Sequence, residues 1–361
     1  MSEAVKSPLP SNVSDKRPGI YHQLQKRRLK VLLATVVAMS ISVLFDIGTG
    51  SSWLGVDQVI EALVGGPSGD SLSTTIVWQL RLPVTLTCIV VGASLGLAGG
   101  LMQTLLANPL ASPYTLGISA AAGFGAALAL LTGFSIFGLH WLGVPFAAFV
   151  SSGLASMAIY TIGRSRNMDA KVLILAGIVV LVFFQALQSL VQYLASPEVL
   201  QQIVFWLFGS LLKASWLSFF VSGAILLAGL TIALPKVWAL TALSSGEERA
   251  QALGINTRRL RLHMFLLCSL LTAGAVSFVG TIGFIGLVAP HLARMLAGED
   301  QRFYLPLATC MGALLLCASS LVAKLIVPGT IIPIGIVTSL VGVPFLVYFS
   351  CLLYTHDGCE P

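Results

Sequence analysis

The sequence predicts an all-α polytopic membrane protein of about ten transmembrane helices, and two observations carry that prediction. Apolar residues make up 56% of the 361 positions and charged residues only 9%, a balance that does not suit a water-facing globule. Uncharged apolar stretches of about 20 residues, the length that crosses a bilayer as a helix, recur along nearly the whole chain. A membrane barrel would alternate polar and apolar residues, whereas these stretches are apolar all round.

Ten spans are expected, over 29–46, 83–106, 116–134, 141–162, 172–195, 216–235, 262–281, 284–297, 304–326 and 333–354. Residues 1–28, rich in Ser, Pro, Lys and Arg and lacking periodicity, read as a disordered basic tail ending on the Lys26-Arg27-Arg28-Lys30 anchor of the first span. No small-residue cleavage site follows that span, which argues against a cleaved leader. In the second span Gly92, Gly96 and Gly100 recur every fourth residue, leaving one face as bare backbone that neighbouring helices can approach. In the fifth, Gln185, Gln188 and Gln192 share a stripe with Ser189. Such amides face either a water-filled path or other helices, since lipid leaves them unsatisfied.

Between the sixth and seventh spans, residues 244–255 form a charged, helix-prone segment closed by Gly254. By pattern alone it is either a solvated connector or a short helix laying Ala250, Leu253 and Ile255 into a partner's groove. The eighth span, 284–297, is the shortest, and residues 355–361 form a second tail.

Lysine and arginine orient the bundle, because basic loops are retained in the cytoplasm. With both termini inside, seventeen of the twenty basic residues fall on the cytoplasmic side, and only Arg81, Lys213 and Lys324 lie outside. The net charge of +6 therefore reports topology and not nucleic-acid binding, for which there is no soluble basic domain with interleaved aromatics.

Several chemistries find no residues to perform them. No Gly-Lys pair occurs, so there is no phosphate-cradling GxxxxGK[ST] loop and any ATP is handled by another chain. The fourteen Asp and Glu residues fall in loops, tails or span ends, which leaves no obvious seat for proton or sodium coupling. The six cysteines include no CxxC pair and the five histidines are scattered, so no metal site is expected. What remains is an externally driven permease, a passive channel or an intramembrane enzyme. A channel lacks a filter motif here, and an enzyme lacks a nucleophile–base set.

From about residue 78 to 350 the chain resembles the FecCD permeases of ABC importers for iron-siderophores, haem and cobalamin. The resemblance rests on Arg81-Leu82-Pro83, Gly92-Ala93-Ser94-Leu95 leading to Gln103, Asn108-Pro109-Leu110-Ala111-Ser112-Pro113 and Leu116-Gly117-Ile118-Ser119. It continues through Trp206 with Gly209-Ser210-Leu211, the Gly246-Glu247 to Leu253-Gly254 segment, Gly283 to His291 with Arg294, and Ile332 to Thr338.

The resemblance implies the type II importer fold of the cobalamin importer's permease, in a bacterial inner membrane. Its partners would be a second permease subunit, two cytoplasmic ATPases that hold the ATP and Mg, and an extracytoplasmic solute-binding protein. No cofactor and no catalytic residue is implied on this chain. Residue by residue, it implies that Gly246, Glu247, Glu248, Arg249, Ala250, Leu253 and Gly254 couple to the ATPase. Gln185, Gln188 and Gln192 would line the pathway, and Arg164, Arg166 and Lys171 would stand at the inner gate. Arg81 and Lys324 would meet the binding protein at an exposed rim, although an interfacial anchor explains Arg81 as well. Two positions depart from the family pattern: Val84 replaces a second arginine, and Ser320 replaces an aspartate.

Overall fold

Each of the ten expected spans coincides with a helix in the computed structural model, which describes residues 20–50, 54–67, 69, 71–136, 138–326 and 332–356. In chain order the helices are α1 (Ile20–Gly48), α2 (Val56–Gly65) and α3 (Leu72–Thr75), the last running through a π-helical turn at Ile76–Arg81 into α4 (Leu82–Leu105). Then come α5 (Ile118–Thr132), α6 (His140–Ser165), α7 (Ala170–Leu194), α8 (Pro197–Leu207) and α9 (Trp216–Ala233), which a 3₁₀ turn joins to α10 (Val237–Ser244). The remainder are α11 (Glu247–Ala252), α12 (Thr257–Val279), α13 (Ile285–Ala297), α14 (Gln301–Leu325) and α15 (Ile334–His356). Seven helical stretches are long and apolar enough to cross a membrane, and α5, α13 and the described part of α15 are shorter apolar helices.

The first helix corrects one expectation. It starts at Ile20, so Lys26, Arg27, Arg28 and Lys30 lie on its opening turns and not in a disordered tail. Pro18-Gly19 is the last helix-breaking pair before it, and Arg28 is held by Asp300 at 3.3 Å and lies over the Phe303 ring. Residues 1–19 and 357–361 of the expected tails lie outside the described residues. Helices α3 and α10 extend the expected spans of α4 and α9, whereas α2 and α8 were not expected, because each is too short to register as a span. Both carry local signals: Ser196 caps α8 with Pro197 and Glu198 in its first turn, and α2 buries Val59 and Ala62 three residues apart.

The most buried spanning helix is α4, enclosed by α12, α13 and α14. Glycine permits this. A Cβ at Gly92 would run into the carbonyl of Gly312, one at Gly96 into that of Ala308, and one at Gly99 into that of Gly286. The expected stripe at 92, 96 and 100 is thus a packing face toward α14, and Gly99 adds a second close approach toward α13.

Three helix breaks lie side by side. Ile334 and Gly335 donate their backbone N–H groups to the carbonyls of Gly209 and Phe208, both at 3.0 Å. Ser210 donates to the Val279 carbonyl at 2.7 Å, and the Thr281 hydroxyl donates to that of Leu207. Non-helical backbone within an apolar bundle must be satisfied by protein, and here the breaks satisfy one another. The two ends of the bundle differ in charge: Arg164, Arg166, Lys171, Arg258, Arg259, Arg294 and Arg302 stand at one, called the basic end below, and Arg81, Lys213 and Lys324 at the other.

Candidate functional site: the α7 wall and the loops at either end

Helix α7 packs on α5 and α6 by one side and leaves the other bare, with Leu175, Val179, Val182, Phe183, Leu190 and Tyr193 all exposed. The three glutamines do not share one environment. Gln185 is exposed, while Gln188 and Gln192 are half-buried. The Gln188 oxygen lies over Gly123 of α5, where a Cβ would come within 2.6 Å of it. Three residues turn a helix through about 300°, which carries Gln188 round from Gln185 toward α5. None of the three amides donates or accepts a side-chain hydrogen bond among the described residues, so the interhelical alternative finds no partner there. Amides in an apolar helix that lack such partners call for water or another chain.

At the basic end, the segment expected to couple is a single turn and a half, α11, between Gly246 (φ 120°) and Gly254 (φ 79°). Those dihedrals need glycine, which sets the length of the turn. The expectation for its apolar residues is corrected. Ala250 is wholly buried within this chain and Ile255 packs on the core, so of the three only Leu253 points outward, 72% exposed. Glu247 also faces home: it pairs with Arg261 at 2.8 Å and accepts from Thr257 at 3.1 Å. Arg261 in turn donates to the carbonyl of Leu105, the last residue of α4. Glu248 and Arg249 are exposed. The segment is therefore anchored through Ala250 and Glu247 and displays Glu248, Arg249 and Leu253.

The loop that carries Arg164, Arg166 and Lys171 is built around Met168, which no sequence signal picked out. Met168 is fully buried, its N–H donates to Gly163 at 2.8 Å, and both it and Asn167 hold left-handed backbone. Non-glycine residues in that region cost of order 1 kcal/mol each, a cost that burial of Met168 offsets. Asp169 then caps α7 by accepting from Lys171 and Val172. All three basic side chains remain exposed. Nearby, Asp300 caps α14, and its hydrogen bond from Arg302 at 2.6 Å, with the charge of Arg28 beyond, holds its carboxyl below the usual carboxylate range.

The opposite end corrects the expectation of an exposed basic rim. Arg81 is 9% exposed and donates to the carbonyls of Ile47 and Gly48 at 2.7 and 2.8 Å. Lys324, half-buried, lies against the fully buried Asp46, a residue counted from sequence only as a span-end acid. The physical reason is that the last turn of α1 ends in open carbonyls next to a buried carboxylate, and cations satisfy both. Ser320 donates to the same carboxylate at 2.8 Å. Among the described residues at this end, Lys213 is the one exposed lysine or arginine. No cluster of three or more His, Cys, Asp or Glu that could hold a metal exists among the described residues.

The family model of the FecCD transport family matches residues 38–351. The hemin transport system permease protein HmuU of Yersinia pestis is 36% identical over 278 residues, covering 75% of this chain and 82% of that protein. The molybdate import system permease protein MolB of Haemophilus influenzae is 33% identical over 333 residues, covering 90% and 95%. Among solved structures, one described as an inward-facing conformation of a metal-chelate type ABC transporter superposes with a TM-score of 0.79 at 31% identity, over 90% of this chain and 99% of that one. A match over nearly the whole helical bundle, in which the expected motifs form its close helix contacts and knitted breaks, places this chain in the FecCD transport family as a multi-pass ABC importer permease.

Proposed function

We propose that this permease carries an iron-siderophore complex inward across a bacterial inner membrane by alternating access, with both termini in the cytoplasm. The observation that carries the reading is the exposed face of α7, an apolar wall set with three amides that have no side-chain partner among the described residues. A smooth and mostly uncharged wall suits a large chelate that is not gripped group by group. In the assembled importer that wall faces a second permease subunit, the same chain or a related one, across the path.

The basic end then faces the cytoplasm, following the bias of arginine and lysine. There Glu248, Arg249 and Leu253 meet the ATPase, one for each permease, and nucleotide-driven closure of the two ATPases moves α11. Because Glu247 is tied through Arg261 to the end of α4, that motion reaches the central helix directly. ATP and Mg belong to the ATPases, and this chain performs no covalent chemistry. The loop with Arg164, Arg166 and Lys171 stands at the inner mouth. A solute-binding protein docks on the opposite end, with exposed Lys213 in reach, while Arg81 and Lys324 hold the end of α1 in place beneath it.

Uptake of labelled ferric hydroxamate, ferric catecholate, hemin, cobalamin and molybdate by cells with and without this chain tests the substrate. Loss of ferric-siderophore uptake alone supports the proposal. Loss confined to hemin, cobalamin or molybdate overturns the substrate and leaves the permease role standing.

A further inference from the structure

At the basic end, the last turns of α6 and the first turns of α12 enclose a cavity of about 410 Å³ lined by Tyr160, Arg164, Asn256, Arg258, Arg259 and Leu262. Three guanidinium groups border it, and no carboxylate pairs with any of them among the described residues. Of the acids at this end, Glu247 pairs with Arg261, Glu299 with Arg294 and Asp300 with Arg28 and Arg302, Asp169 caps α7, and exposed Glu248 pairs with none of the three arginines. Arg258 is held across the cleft by donating to the Arg164 carbonyl at 3.1 Å, which fixes its guanidinium against the end of α6. Asn256 spends its side chain on capping α12 through the Arg259 N–H at 2.9 Å. Guanidinium groups stay protonated, so their convergence without a counter-charge is a standing repulsion that an anion relieves.

The floor of the cavity says which anion. Leu262 lines it, and Leu266 and Leu270, four and eight residues on, are each 39% exposed along the same face of α12. On α6, Tyr160 lines it and is followed toward the membrane interior by exposed Met157 and Leu154. An apolar track bordered by two packed helices therefore runs from the arginines into the bilayer. The cavity lies at the ends of two spanning helices, where the orientation proposed above would place the headgroup layer. Basic pockets between membrane helices at that depth are suited to phosphate headgroups, with chains lying along the helices.

We infer that this cavity binds the phosphate of an anionic phospholipid, with an acyl chain along Leu262, Leu266 and Leu270. A free phosphate would use the arginines and ignore the track. An acidic surface of the ATPase would use the exposed arginines as a protein contact and need no lipid.

The test uses the full-length chain, purified in a mild detergent and titrated with phosphatidylglycerol or with phosphatidylcholine of the same chains while bound lipid is counted by native mass spectrometry. Phosphatidylglycerol should be retained in preference to phosphatidylcholine. Arg164→Gln and Arg259→Gln should each weaken its retention about fivefold, Arg259→Lys should keep most of it, and Leu266→Asn should weaken it with no charge changed. An unchanged melting temperature shows that each variant is folded, and only such variants are scored. Equal retention of the two lipids, equal retention by the arginine variants, indifference to Leu266→Asn, or displacement by millimolar inorganic phosphate would each overturn the inference. Displacement of the lipid on adding the ATPase, with assembly lost in the arginine variants, would assign the cavity to a protein contact instead.

Discussion

The Lys324 ammonium lies 2.8 Å from the buried carboxylate of Asp46, 278 residues away in sequence. Thr85 and Ser320 donate to the two carboxylate oxygens at 2.6 and 2.8 Å, and Lys324 also donates to the Asp46 carbonyl at 2.9 Å. One carboxylate thus fastens α1 to α4 and α14. Removing one partner leaves the other without its direct ion pair in a largely buried site, so Asp46→Asn or Lys324→Met alone should cost about 3 kcal/mol. Combining Asp46→Asn with Lys324→Met should recover much of that loss, since the pair's charges go together, and the Asn amide can accept from one hydroxyl through its oxygen and donate to the other through its NH2. Thermal unfolding of the three variants in detergent measures it, and additive losses would refute it.

Close helix contact at glycine gives a second prediction. Gly92→Val should destabilise by about 2 kcal/mol or more, because its side chain would overpack against the Gly312 carbonyl. Gly153 of α6 has nothing within 4 Å of an added Cβ. There Gly153→Ala should be neutral or stabilise by up to about 1 kcal/mol through helix propensity. The same unfolding assay compares them.

The anchored and displayed halves of α11 should separate by experiment. Arg261→Gln frees Glu247 and the end of α4 together, so amide hydrogen exchange over 247–253 should speed up by about tenfold as local protection falls. Glu248→Arg touches no internal partner and should leave that exchange unchanged while lowering recovery of the ATPase complex. Reversed effects of the two variants would contradict this division.

Along the α7 wall, Gln185→Glu adds a charge to an exposed position and should leave thermal stability unchanged. Uptake should slow by about tenfold, a barrier increase of roughly 1.4 kcal/mol. Full-rate uptake in the Gln185→Glu, Gln188→Glu and Gln192→Glu series would remove α7 from the pathway.

Acid should act on the basic end through Asp300. Its carboxyl is held below the ordinary range, chiefly by the Arg302 hydrogen bond. The stabilisation is therefore present above the unfolded carboxylate value, about 3.9, and is lost as pH falls through the lower folded value. Asp300→Asn should flatten that acid limb of a stability–pH profile and leave the profile near neutrality parallel to that of the unaltered chain.

Much of the fold was legible because a bilayer demands long uncharged helices, and ten such runs stand out in the sequence. Helices α2 and α8 escaped because their length is below that demand, although Ser196-Pro197-Glu198 is a plain start signal. The glycine stripe of α4 was readable as a packing face from spacing alone. Its partners Gly312 and Ala308 were not, since nothing in the sequence pairs α4 with α14. Burial misled at the charged positions. Arg81 and Lys324 looked like a rim because basic residues at span ends usually reach water, and only the fold reveals Asp46 and the end of α1 beside them. Ala250 looked outward for the opposite reason: an apolar residue on a short exposed helix has two sides to choose from, and α11 turns it home.

The most direct test is ATP-driven uptake of a ferric siderophore into proteoliposomes holding this chain, with or without its ATPase and with the binding protein outside. Uptake against a gradient only when the ATPase and enclosed ATP are both present is the predicted result. Uphill uptake by this chain alone, or uptake driven by a proton or sodium gradient, would contradict the account.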